Sequence, residues 1–212
     1  MFDAILEAAV EEAGEGGVGA FASDADTASI GVLQARGFEP DGRRLSQWQR
    51  RPEDGPLPTV PLADGYRIRG LRGPEEFAER VALHRAAFPS SRLTVDKYAR
   101  LPTVPHYRFE DDLVVEAADG TLAAYALTWY DGDGRVGELE PVGTHPDHQR
   151  RGLSRAVVTA GVARLFERGA RVVQVYSDAA EAPAEALYAA AGFRRYAGHQ
   201  RYSNRPTAAT TS

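Results

Sequence analysis

The stretch Glu138-Leu-Glu-Pro-Val-Gly-Thr144-His-Pro-Asp-His-Gln149-Arg-Arg-Gly152-Leu-Ser154 carries most of the residues whose types and spacing could do chemistry. It reads as a strand meeting a loop that opens a long helix. A glycine at position 152 lets backbone pass close to a ligand, and a helix start offers free N–H groups with a partial positive charge. Arg150 and Arg151 add full charges, so the pattern suits a diphosphate, whose oxygens accept several backbone hydrogen bonds at once. On an uninterrupted strand Glu138 and Glu140 alternate on one face with Val142 and Thr144, where partial burial would raise a carboxyl pKa. Further on, Tyr188 places a phenol on a helix closed by Gly192-Phe193. His145 and His148 flank Pro146-Asp147 without a clear third ligand, and Asp131-Gly132-Asp133-Gly134 lacks the spacing of a calcium loop. No metal is expected.

The elements that would position these residues follow from apolar spacing and breakers. Apolar positions from Phe2 to Ala13 have helical spacing and stop at Gly14, Val18–Ala22 reads as a short strand, and Asp26 or Thr27 caps a helix through Arg36 that ends at Gly37. Arg43–Arg51 alternates as a strand. Pro52, Gly55, Pro56, Pro58 and Pro61 then break regular structure. Beyond them come a strand Tyr66–Leu71, a helix Pro74–Phe88 opening with acids, and a shorter helix Val95–Leu101. Strands Leu113–Ala117 and Leu122–Trp129 flank Asp119-Gly120, which fits a type I′ turn. A strand Val136–Thr144, a long helix Arg151–Arg168, a strand Val172–Tyr176, a helix Ala184–Ala191 and a strand Arg194–Tyr202 follow, before a polar tail.

Composition narrows the function classes. The chain has 212 residues, is 43% hydrophobic and carries a formal charge of -5, which argues against nonspecific nucleic-acid binding. No apolar run reaches the ~18 residues of a membrane span, and an acid follows Met1-Phe2, so a cytoplasmic protein without membrane attachment is expected. A cysteine count of 0 excludes disulfides, thiolate metal sites and a cysteine nucleophile.

Gln149-Arg150-Arg151-Gly152-Leu153-Ser154 resembles the pyrophosphate signature of the GNAT superfamily of N-acetyltransferases, Gln/Arg-x-x-Gly-x-Gly/Ala, with Ser154 departing from its last position. Ala184 through Phe193 resembles the motif whose tyrosine faces the cofactor sulfur. The resemblance implies an α/β (α+β) fold: a central mixed, mostly antiparallel sheet with a splayed strand pair and flanking helices. It implies acetyl-CoA as cosubstrate, with Gln149, Arg150, Arg151, Gly152, Leu153 and Ser154 around the diphosphate and the backbone of Val142 and Thr144 along the pantetheine arm, paired as an added strand. Tyr188 would protonate the leaving thiolate, and Glu140 or Glu138 would take the amine proton, directly or through water. The acceptor would be a small-molecule amine or a peptide, held near Phe88–Tyr107 and His199–Tyr202.

Phe21-Ala-Ser-Asp24 through Gly37-Phe38 repeats the pattern of Tyr176-Ser-Asp178 through Gly192-Phe193, with Leu33 where Tyr188 stands. This yields residues 1–52 as a partial GNAT-like half domain, 53–64 as a linker, 65–205 as a complete GNAT domain and 206–212 as a disordered tail. The half domain has no phosphate signature and would pack on its neighbour or form a homodimer. Three readings result: an N-acetyltransferase working by direct attack in a ternary complex, a non-catalytic acyl-CoA-binding regulatory module, and a structural pairing protein.

Overall fold

A computed structural model describes residues 17–204. Along them run β1 (Gly19–Ser23), α1 (Thr27–Ala35), β2 (Glu39–Arg50), β3 (Tyr66–Gly70), α2 (Phe77–Ala87), α3 (Val95–Tyr98), β4 (Asp112–Ala117), β5 (Leu122–Asp131), β6 (Val136–Thr144), α4 (Leu153–Glu167), β7 (Val172–Asp178), α5 (Ala182–Ala190) and β8 (Arg194–Ser203). The helix expected over Phe2–Ala13 and the tail from 206 onward lie outside the described residues.

Three local expectations change. The acids ahead of α2 form a separate 3-10 turn, Pro74–Glu76, and α2 begins at Phe77. The second helix stops at Tyr98, and Leu101–Thr103 is a 3-10 turn of its own, because Pro102 has no N–H to continue the α-helical bonding to the Tyr98 carbonyl. The β4–β5 connection is not type I′. Only Gly120 there has a positive φ, 89°, and the bonds Gly120 N–H to Ala117 C=O and Ala117 N–H to Thr121 C=O close a three-residue loop ending in a left-handed glycine.

The described residues divide into two compact units interleaved in sequence: residues 49–175 with 186–194, and 17–48 with 176–185 and 195–204. In the larger unit the strand order is β7-β6-β5-β4-β3. β3–β4, β4–β5 and β5–β6 pair antiparallel, and β6–β7 pairs parallel. α2 and α3 bury Phe77, Val81, Leu83 and Tyr98 in one cluster with Val114 and Tyr125 of the sheet. α4 buries Ala156, Val157, Val158, Val162 and Leu165 over a broad face.

The close seat of α4 depends on Gly161, where a Cβ would come 2.8 Å from Leu139 Cδ2 and 3.0 Å from Thr128 Cγ2. Gly161→Val is therefore expected to destabilise the fold by ~1–3 kcal/mol through overpacking, read as a lower urea midpoint at unchanged slope.

In the smaller unit β1 pairs antiparallel with β8, from Gly19 opposite Ser203 to Ser23 opposite His199. Asp26 caps α1 by accepting from the Ser29 N–H at 3.0 Å, and Leu33 and Phe38 pack with Ala22 and Tyr202. The end of α1 repeats the end of α5. Gly37 N–H bonds Gln34 C=O and Phe38 N–H bonds Leu33 C=O; Gly192 N–H bonds Ala189 C=O and Phe193 N–H bonds Tyr188 C=O. Both glycines have positive φ, so the Gly-Phe pairs share one helix-closing motif whose phenylalanine returns to the residue five before it.

Candidate active site

β6 carries the candidate acids, and its pairing with β5 determines where they point. Ala126 lies opposite Val142 and Thr128 opposite Leu139, so Glu140 and Pro141 together face Leu127. This bulge reverses the alternation of side chains. Glu138, opposite Trp129, shares the face of Trp129, whereas Val142 and Thr144 lie opposite Ala126 and Ala124 on the other face. The expectation that Glu138, Glu140, Val142 and Thr144 share one face is thus corrected. The outcome is visible at Thr144, whose Oγ1 lies 2.7 Å from Ser154 Oγ in the first turn of α4.

On its other edge β6 pairs with β7 only from Val136 to Glu138, opposite Val172 to Gln174. The strand then continues to Thr144 with no strand on that edge among the described residues of this unit. Its backbone from Leu139 onward can take an extended amide-bearing ligand as a further strand.

The loop after β6 turns through a 3-10 segment, Pro146–His148, and reaches α4 through two left-handed residues, Arg150 (φ 61°) and Gly152 (φ 76°). Gly152 is the N-cap, so no side chain caps the first turn, and a Cβ placed there would meet nothing within 4 Å. The helix start is open and carries the positive end of its dipole. Gln149, Arg150 and Arg151 are exposed, and neither arginine has an ion pair among the described residues. Leu153 differs from its neighbours: its side chain is buried at 1% exposure, which leaves only its backbone amide to serve a ligand. The residues fit a diphosphate. His145 instead accepts the Asp147 N–H, and His148 Nδ1 lies 2.9 Å from the Tyr66 hydroxyl. Among the described residues no group of three or more His, Cys, Asp or Glu is disposed around a common metal position.

Glu140 lines a cavity of about 450 Å³. The sheet contributes Leu127, Trp129 and Pro141, α2 contributes Arg80 and His84, and the segment from Ser91 to Leu101 supplies the remaining wall. Removal from water, and then the adjacent Glu138 carboxyl within hydrogen-bonding reach, raise Glu140 above the ordinary carboxylate range. Gln174 Nε2 donates to Glu138 Oε2 at 2.7 Å, which holds the Glu138 carboxyl in place beside Glu140. Trp129 Nε1 donates to the Glu140 carbonyl at 2.8 Å and fixes the bulge.

A polar chain runs through the cavity wall, buried at Arg80, Tyr98, Asp112 and Tyr125 and half-buried at His84 and Ser91. Arg80, 1% exposed, donates from Nε to Asp112 Oδ1 at 3.0 Å, and Asp112 also accepts from the Tyr98 hydroxyl. The guanidinium lies 3.5 Å from the centre of the Tyr125 ring. The Tyr125 hydroxyl is 2.7 Å from His84 Nδ1, and His84 Nε2 is 2.9 Å from Ser91 Oγ. Burial pushes the Tyr125 phenol up to about 12, while burial and then the Arg80 charge hold His84 below its usual range.

Tyr188 stands in the last turn of α5, 6% exposed, with its ring edge-on to Phe193 at 5.9 Å between centroids. In the smaller unit His199 lies 3.1 Å from Gln47 Oε1 and packs edge-on against Tyr176. The stretch Phe88–Tyr107 does supply cavity wall, whereas Arg80 and His84 were not anticipated. Alternation along β5 could have indicated Leu127 and Trp129; a polar residue on an amphipathic helix gives no local sign that it is buried.

The family model for the acetyltransferase (GNAT) family matches residues 78–193. A curated mycothiol acetyltransferase of Thermobispora bispora is 32% identical, over 81% of this chain and 65% of its own length. The mycothiol acetyltransferase of Thermomonospora curvata is 30% identical, over 77% and 56%. The chain thus spans little more than half to two thirds of these relatives. Among solved structures, a GCN5-related N-acetyltransferase from Sphaerobacter thermophilus superposes with a TM-score of 0.74 at 19% identity, covering 90% of this chain and 60% of that one. A tandem GNAT protein from the clavulanic acid biosynthesis pathway superposes with a TM-score of 0.70 at 19% identity, covering 96% and 70%. Its fold, the open helix start after a parting strand and these matches converge: the chain belongs to the acetyltransferase (GNAT) family.

Proposed function

We propose that the chain is an N-acetyltransferase that moves an acetyl group from acetyl-CoA to the primary amine of a small-molecule acceptor by direct attack in a ternary complex. The observation that carries this reading is the parting of β6 from β7 after Glu138, immediately upstream of the uncapped start of α4. The backbone of Gln149 to Ser154 and the charges of Arg150 and Arg151 would hold the diphosphate. The free edge of β6 at Val142 and Thr144 would hold the amide-bearing arm. Acetyl-CoA supplies a thioester carbonyl ready for attack. Glu140, assisted by Glu138, takes the amine proton directly or through water as the C–N bond forms, and Tyr188 gives a proton to the sulfur as the C–S bond breaks. A small-molecule acceptor is supported by the mycothiol acetyltransferases among the relatives. In the same reading the protein works in the cytoplasm, and β1, α1 and β2 belong to a second GNAT-like half.

Titration calorimetry with coenzyme A tests the cofactor half of the proposal. Charge removal by Arg150→Gln with Arg151→Gln is expected to weaken binding ~10-fold and flatten its salt dependence. A folded parent protein that bound no coenzyme A at millimolar ligand would overturn the proposal. Thiol release over a panel of amines tests the transfer; tight coenzyme A binding with no turnover of any amine would favour the regulatory module instead.

A further inference from the structure

The cavity beside Glu140 has an uneven charge distribution that the transfer reaction does not require. Among its lining residues Glu140 is the one carboxylate, whereas Arg80, Arg92 and Lys97 are cations. Arg80 is committed to Asp112 through Nε, but its buried Nη1 has no hydrogen-bond partner among the described residues. A guanidinium nitrogen so placed is costly unless something accepts from it. Arg92 and Lys97 are exposed at the mouth and form no ion pair among the described residues. Burial and then the Arg80 charge hold His84 below its usual range, which disfavours a further charge there. Ser91 and Tyr98 bring hydroxyls to the lining, and Leu93, Leu101, Leu127, Trp129 and Pro141 supply its apolar surface.

Resting on the proposed acetyl transfer to an amine, we infer that the acceptor is amphipathic and carries an anionic oxygen group, a carboxylate or a phosphate-type group. The amine faces Glu140, the apolar body lies against Leu127 and Trp129, and the anion meets Arg92 and Lys97 on the wall that Arg80 backs. The contacting residues come from different elements: Glu140 from β6, Leu127 and Trp129 from β5, Arg80 from α2, Arg92 from the segment that follows it and Lys97 from α3. A guest spanning them is fixed in one orientation, with its amine toward the base. A neutral amine leaves the cations unmatched and gains only the apolar contact.

Three amines of nearly equal shape test this: L-phenylalanine, its neutral amide, and the phosphonate in which a phosphonic acid replaces the carboxyl. The amide has the larger share of unprotonated amine at neutral pH, so intrinsic reactivity works against the expected result. Thiol release should favour the carboxylate or the phosphonate over the amide ~10-fold or more in kcat/KM, and the better of the two identifies the anion. The double substitution Arg92→Gln with Lys97→Gln should bring that ratio close to one, and added salt should lower it in the parent protein. Equal rates for all three, or a preference for the amide, would overturn the inference and leave the transfer reading intact. Calorimetric binding of the same three amines to protein saturated with coenzyme A is measured alongside. If no amine releases thiol, anion-dependent binding supports the subsite and counts against the transfer reading, whereas indifferent or absent binding overturns the subsite.

Discussion

Glu140→Gln is expected to lower kcat ~100-fold, the lower end of what a positioned general base contributes, and to abolish the acidic limb of the pH–rate profile. Glu140 must be unprotonated to take the amine proton. Its raised pKa means that activity is lost as pH falls through that elevated value, and a glutamine at this position has no such transition. The same substitution should raise thermal stability near neutral pH. A carboxyl whose pKa is raised by folding binds its proton more tightly in the folded state, so the folded state loses stability as pH rises through the raised value. Glutamine removes that loss together with the repulsion from Glu138. A slower enzyme with a higher Tm is the signature of an acid held for function against the preference of the fold. If Glu138→Gln instead abolished the acidic limb while Glu140→Gln kept it, the base would be Glu138.

Asp112→Ala should destabilise the protein by ~3–5 kcal/mol, because it strands Arg80 in the core without its counter-charge. Both groups are essentially inaccessible, with side chains 1% and 0% exposed, and Tyr98 also loses the acceptor for its hydroxyl. Asp112→Asn keeps an acceptor and much of the shape, so it should lie between the parent protein and the alanine variant. Urea denaturation distinguishes the cases by midpoint. An alanine variant within ~1 kcal/mol of the parent would show that Arg80 finds another partner or reaches water, the cost expected of an ordinary substitution.

Much of the fold was legible because it is written in local rules. Apolar spacing, the Asp26 cap and the glycines closing α1 and α5 each act over a few residues, and the order of elements follows from them. The loop from Gln149 to Ser154 was legible for the same reason: a left-handed glycine and a helix start are sequence-local. The β6 bulge was not. Counting every second residue assumes an unbroken pleat, and a two-against-one pairing at Leu127 is set by the partner strand rather than by Glu140 or Pro141 alone. The cavity was only half legible. Ser91 to Leu101 fell within the anticipated region, but Arg80 and His84 occupy helical positions that, in isolation, look suited to solvent. The burial of Arg80 and the half-burial of His84 depend on Asp112 and Tyr125, more than thirty residues away in sequence.

His84 bridges two hydroxyls, and a neutral imidazole has one N–H and one lone pair to share between them. If Nδ1 accepts from Tyr125, Nε2 must donate to Ser91. The Ser91 oxygen also accepts from the Leu93 N–H, so in that tautomer its own proton is free to point into the cavity. If the ring proton sits on Nδ1, Ser91 spends its hydrogen on Nε2 and has only a lone pair to offer. A single proton inside the wall thus sets whether an incoming molecule meets a giver or a taker of hydrogen at that spot.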